Sequence, residues 1–162
     1  MFTVKKATHD DLPIMEEIFK CAREYMKNTW NPTQWGTIGP PIFLVKRDID
    51  RGVSYLVYKD DVPVGTFSYT LGEEPTYKVI KGAWLNDKPY GAMHRIASNG
   101  KAKGVFEFCF NYCLKFGVDI RIDTHENNAT MRYLIEKVGC TYCGIITTDD
   151  GTPRLAYQKE VN

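Results

Sequence analysis

The chain has 162 residues, 43% of them apolar and 13% aromatic, with 21 Lys and Arg set against 20 Asp and Glu for a formal net charge of +1. That length supports one domain with a real core, expected to span residues 1–162, and leaves little room for a second. A charge so near zero provides no overall field for nucleic acid or an anionic membrane, so neither is expected as a partner and any anion site has to be local.

The opening MFTVKKATHDDLP has no apolar run behind its lysines, and no window reads as a membrane span. A cytoplasmic location is therefore expected. Residues 2–7 alternate as a short strand. Leu12, Met15, Ile18, Phe19, Ala22 and Met26 then recur at helical spacing behind Thr8 or Asp10 as cap and Pro13 in the first turn, which predicts a helix over 10–28. The segment NTWNPTQWGTIGPP is a loop by its Pro and Gly content, yet it carries Trp30 and Trp35, which read either as a lid on the core or as a substrate wall. A short helix follows over 41–50. VSYLVYKDDVPVGTFSYTL is then two strands around a turn at Lys59, Asp60 and Asp61.

Residues 73–90 are irregular and again aromatic, with Tyr77, Trp84 and Tyr90. AMHRIAS (92–98) is a strand, and 105–116 is a helix with a broad apolar face. VDIRIDT is a strand and NATMRYLIEKV a helix, before a closing hairpin around Asp149, Asp150 and Gly151. The order predicts an α/β chain with a mixed sheet, antiparallel at first, then built by right-handed crossovers.

Five cysteines at irregular spacing fit a reducing compartment. Cys140 and Cys143 form a lone CxxC, but in a strand, where residues three apart face opposite ways and cannot chelate one ion. Cys109 and Cys113 could join them in a zinc site only if that strand were broken. Core filling is the expectation, and no metal. The sequon at Asn128 to Thr130 is read as chance.

Ligands in open sheets of this type collect after the strand ends, so two corners matter. Between Ser98 and the helix at Val105 lies NGKAKG, two glycines and two lysines in six residues. It reads either as a pyrophosphate cradle or as an ordinary solvated turn, and it is not a P-loop. The second corner puts Asn127 and Asn128 at the mouth of a helix, where they either cap it or hold a ligand.

Element order and these corners together resemble the GNAT superfamily of acyl-CoA-dependent N-acyltransferases, over nearly the whole chain. The family's phosphate loop, Q/R-x-x-G-x-G/A, is met by Lys101, Ala102, Lys103, Gly104, Val105 and Phe106, with lysine at the first place and Phe106 where a small residue is usual. A register from Asn99 to Gly104 keeps the final glycine. The family's fourth helix, counted back from Gly139, puts Asn128 at its asparagine, Met131 at a small residue and Ile135 at its tyrosine.

The resemblance implies a seven-stranded, mostly antiparallel mixed sheet with four helices, splayed between its fourth and fifth strands. It implies acetyl-CoA as cosubstrate and transfer of its acetyl group to a primary amine of a small molecule or peptide by direct attack. Ile96, Ala97 and Ser98 would offer backbone amides to the thioester, Lys101 to Val105 would take the phosphates, and Asn128 would fix the pantetheine, with Asn127 as helix cap. For the base, His94 and His125 are the histidines near the expected splay, with Asp123 able to act through water. Tyr133 faces away from Asn128, and Tyr142 or Cys143 stay open as acids. Trp30, Gln34, Trp35 and Trp84 would wall the acceptor. A homodimer is left open, and so is a non-catalytic module of the same fold that binds CoA or another small molecule.

Overall fold

The computed structural model describes residues 1–162, which divide into two compact units: Met1–Tyr69 with Arg95–Cys109, and Thr70–His94 with Phe110–Asn162. Eight strands form one mixed sheet accompanied by four helices. Strand β5 (Tyr90–Ser98) gives its second half to the first unit and its first half to the second.

In the first unit β1 (Phe2–Lys6) pairs antiparallel with β2 (Ser54–Lys59), and β2 with β3 (Val62–Leu71). The hairpin turns on Asp60 and Asp61, both left-handed at φ 49° and 69°, a conformation that two-residue hairpin turns require and that Asp tolerates. Helix α1 (Leu12–Asn28) begins two residues later than expected because residues 9–11 tighten into a 3-10 turn. That corner is fastened by Asp11, whose carboxylate accepts the Thr8 amide at 2.8 Å. The apolar stripe Met15, Ile18, Phe19 and Ala22 is buried with Val45 and Ile49 of helix α2 (Ile42–Asp50) and Leu56 of β2. Each large side chain so buried stabilises the unit by roughly 1.5–3 kcal/mol.

In the second unit Tyr90–Met93 of β5 pair in parallel with Asp119–Ile122 of β6 (Asp119–Thr124), helix α3 (Val105–Leu114) lying between them in the chain. Strand β8 (Pro153–Lys159) pairs antiparallel with both β6 and β7 (Thr141–Thr147). So β7 runs parallel to β6 one strand removed, with helix α4 (Ala129–Lys137) in the connection. The expected count of seven strands is corrected by β4 (Lys81–Gly82), which pairs with Ile145 and Gly144 of β7. Two residues carry no period to read. The backbones there approach so closely that a Cβ on Gly82 would stand 2.2 Å from the Cys143 carbonyl oxygen.

Side chains alternate along β6, so Ile120 and Ile122 turn one way into the core while Asp119, Arg121 and Asp123 share the other face. Residues 73–90 bring Tyr77, Ile80 and Trp84 together with Ala92, Ile146 and Ala156. The segment that reads as irregular thus roofs a polar stripe with aromatic rings. No helix is long and apolar enough to cross a membrane.

Candidate active site

The parallel ladder stops at Met93 and Ile122, one residue short of His94 and Asp123. There the side chains meet instead: His94 Nε2 lies 3.4 Å from Asp123 Oδ2. Tyr77 joins them from the roof, its hydroxyl donating to Asp123 Oδ2 at 2.6 Å and standing 3.1 Å from His94 Nε2. Arg154 Nη1 approaches the other carboxylate oxygen at 3.6 Å. Since the tyrosine proton goes to the carboxylate, its oxygen accepts from His94, which places an imidazole proton on Nε2.

Charge follows from these contacts. Burial pushes the Asp123 carboxyl up, but hydrogen bonding and charge from His94, then Tyr77 and Arg154, more than offset it and hold the carboxyl below its ordinary range. Burial and the neighbouring carboxylate drive Tyr77 well above the ordinary tyrosine value, so it stays a donor. A histidine oriented by an ionised carboxylate is the arrangement of a general base. His94 is 19% exposed.

His125, the other candidate base, sits beyond β6, where its Nδ1 accepts the Asn127 amide at 3.0 Å. Burial and Arg154 lower its pKa. Its bonded nitrogen is spent on the corner. The cap assignment at that corner is also corrected: Asn128, not Asn127, caps α4, with Oδ1 accepting the Met131 amide at 3.0 Å. The Asn127 backbone amide is tied instead to His125, two residues earlier. Ile135 is fully buried and Tyr133 is 62% exposed.

The first unit holds the glycine-rich loop. Asn99 ties it to β3, its amide donating to the Val64 carbonyl and its Nδ2 to the Pro63 carbonyl. Gly65 brings the β3 backbone close, since a Cβ there would stand 2.7 Å from Val105 Cγ1. Gly100 and Gly104 are both left-handed at φ 78°, with open space where a Cβ would be. Lys101 and Lys103 are exposed, and Val105 begins α3. Loop, lysines and helix start fit an anionic diphosphate. Against that, Gly100 and Lys101 already donate their amides to Ser98 Oγ and Asn99 Oδ1. Phe106, where a small residue is usual, is buried.

Just before that loop, Ile96, Ala97 and Ser98 follow Arg95, which takes the left-handed conformation inside a strand at φ 50°. Asp48 of α2 holds the guanidinium by two bonds, Nε to Oδ2 at 2.5 Å and Nη2 to Oδ1 at 3.0 Å. Neither residue stands out in the sequence.

Of the four aromatic and amide candidates for an acceptor wall, three lie in the first unit and one in the second. Trp35 packs edge-on against Phe19, ring centroids 5.6 Å apart, in the first unit's core. Gln34 accepts from Asn31 at 2.9 Å, and Trp30 is 88% exposed. Trp84 belongs to the second unit, its indole donating to the Tyr77 carbonyl at 2.9 Å. Cys109 and Cys140 are inert, their thiols pushed up to about 12 by burial.

No sequence-family model matches the chain, and no curated protein matches it significantly. Among solved structures it is similar to a GNAT-family acetyltransferase of Streptococcus agalactiae, with 29% identity and a TM-score of 0.86 over 99% of this chain and 96% of that one. A GNAT-family acetyltransferase of Bacillus cereus matches at 20% identity and TM-score 0.65 over 100% and 99%. A Salmonella typhimurium protein solved with its cofactor acetyl-CoA matches at 14% identity and TM-score 0.61 over 99% and 94%. The fold is shared from end to end with structures of GNAT-family acetyltransferases, and the chain resembles that superfamily.

Proposed function

We propose that the protein is an N-acetyltransferase using acetyl-CoA, with a primary amine of a small molecule or peptide as acceptor. The observation that carries this reading is the His94–Asp123–Tyr77 cluster on a chain that shares its fold with GNAT acetyltransferases. A lysine-like amine with pKa ~10.4 is almost wholly protonated at neutral pH, a penalty of about 4–5 kcal/mol that a positioned base offsets. His94 takes the amine proton. Asp123 stabilises the resulting imidazolium and keeps its proton on Nε2, while Tyr77 holds the carboxylate in place.

Acetyl-CoA, when bound, supplies an activated thioester. Lys101, Lys103 and the amides from Ala102 to Val105 would hold its phosphates, and the amides of Ile96, Ala97 and Ser98 would polarise an acyl carbonyl. Asn128 has its Oδ1 committed to the helix, so it serves the site by shaping the corner. The test is thiol release from acetyl-CoA with a panel of primary amines. His94→Gln is expected to lower kcat by about 10²- to 10⁴-fold with the KM for acetyl-CoA nearly unchanged; an unaltered kcat would remove His94 from this role. The locally satisfied amides of Gly100 and Lys101 favour a second reading, a binding module without turnover. Acetyl-CoA binding with no thiol release for any amine would select it.

A further inference from the structure

Arg121 is a buried cation with no acidic partner. It is 6% exposed in the middle of β6, its guanidinium carbon 4.3 Å from the Trp84 ring centroid and 4.0 Å from that of Tyr90. Nη2 donates to the Asn86 carbonyl at 2.9 Å, and Nε has no hydrogen-bond partner. Both carboxylates on the same face of β6 are committed elsewhere. Asp119 accepts from the Val161 amide, Asn86 and Gln158. Asp123 is taken by Tyr77, His94 and Arg154. A guanidinium buried without a counter-charge is costly, and two ring faces offset only part of that.

The same residues face open space. Trp84, Tyr90, Tyr77 and Arg121 line a cleft of about 280 Å³. Its other lining charges cancel in number, Glu73 and Asp87 against Lys78 and Lys88, with Glu73 3.6 Å from Lys78, which leaves Arg121 as the excess. An aromatic-walled cleft with a planar fork of N–H donors suits a carboxylate or phosphate group.

We propose that this cleft is an oxyanion subsite for the acceptor, so that the preferred acceptors are small amines carrying a carboxylate or phosphate at their far end. The proposal rests on the transferase reading above. Tyr77 links the two regions: it lines the cleft, its ring centroid is 5.7 Å from that of His94, and its hydroxyl is bonded to Asp123. Arg121 and Asp123 lie two residues apart on one strand face, about 7 Å along β6. That spacing suits γ-aminobutyrate or 5-aminovalerate better than glycine.

The experiment compares matched acceptors on the wild-type protein: γ-aminobutyrate and 5-aminovalerate against their amides, and phosphoethanolamine against ethanolamine. The expected result is a kcat/KM at least about tenfold higher for the anionic member, carried mainly by KM, and lost in Arg121→Gln. The two acid types show whether carboxylate or phosphate is preferred. Calorimetric titration of γ-aminobutyrate and inorganic phosphate into the protein without acetyl-CoA reads the subsite independently of turnover. Anion binding abolished by Arg121→Gln, with no transfer to any amine, would sustain the subsite and overturn the transferase reading. Transfer indifferent to the anionic group would sustain the transferase and overturn the subsite. Should Arg121→Gln fail to fold, the wild-type comparison decides alone: a preference for the anionic members supports the proposal, and equal kcat/KM within each pair sinks it.

Discussion

Replacing Asp48 by Asn removes one charge from a buried, two-bond ion pair while preserving side-chain volume. Asp48 is 4% exposed and Arg95 16%, so water does little to screen the pair or to replace it. Breaking a buried pair from one side costs about 3–5 kcal/mol, because the remaining charge stays desolvated. Asn can still accept one bond, which argues for the lower end, about 3 kcal/mol. At roughly 2–4 °C per kcal/mol for a chain of this length, the unfolding midpoint should fall by about 6–12 °C. The pair also holds Arg95 left-handed, a conformation that costs a non-glycine residue on the order of 1 kcal/mol. Release of that strain should shift the Ile96–Ser98 amides and lower kcat more than it raises KM. The assay is thermal unfolding of Asp48→Asn, Arg95→Gln and the double variant, with thiol-release kinetics on each. A midpoint within 2 °C of wild type, or strictly additive single effects, would refute the reasoning.

Tyr77→Phe deletes the 2.6 Å bond to Asp123 and should cost about 1.5–3 kcal/mol of stability, with a larger proportional loss in kcat, measured by denaturant unfolding beside steady-state kinetics. Asp123 titrates below its unfolded value in the folded protein, so it contributes stability that is present above about pH 4 and lost as pH falls through the lower folded value. Asp123→Asn should accordingly flatten the acid limb of a stability profile below pH 4, and an unchanged limb would contradict the charge assignment. Asn128→Ala should lose about 0.5–2 kcal/mol of helix capping, whereas Asn128→Asp keeps an accepting oxygen and a midpoint near wild type.

The parts of the site that lie within one stretch of chain were readable before the fold was. NGKAKG announces a glycine-shaped corner ahead of a helix, and Gly100 and Gly104 take the left-handed conformation that only glycine enters freely. His94 and Asn128 are likewise visible as polar residues at the edge of apolar runs. What joins them is not. His94 meets Asp123 because a parallel ladder ends one residue early, a fact of register that neither strand encodes alone. Tyr77 and Trp84 come from a segment with no period, and their positions depend on β4, two residues set by the close approach of Gly82 and Gly144. Arg121 did leave a trace: DIRID alternates charged and apolar residues, which in a buried strand means a polar face with something to hold. For Trp35 the sequence left open a lid on the core and a substrate wall, and its ring packs edge-on against Phe19 at the core.

The central claim is that the first unit's loop and the strand leading into it serve acetyl-CoA. Thermal unfolding of the purified protein with acetyl-CoA, beside free CoA and ATP, tests this most directly. At about a hundredfold excess over its dissociation constant, a ligand of the folded state adds roughly 2.7 kcal/mol, which for a chain of this length raises the midpoint by about 5–10 °C. The account predicts such a rise for acetyl-CoA and CoA and none of that size for ATP. No rise at saturating acetyl-CoA would contradict it.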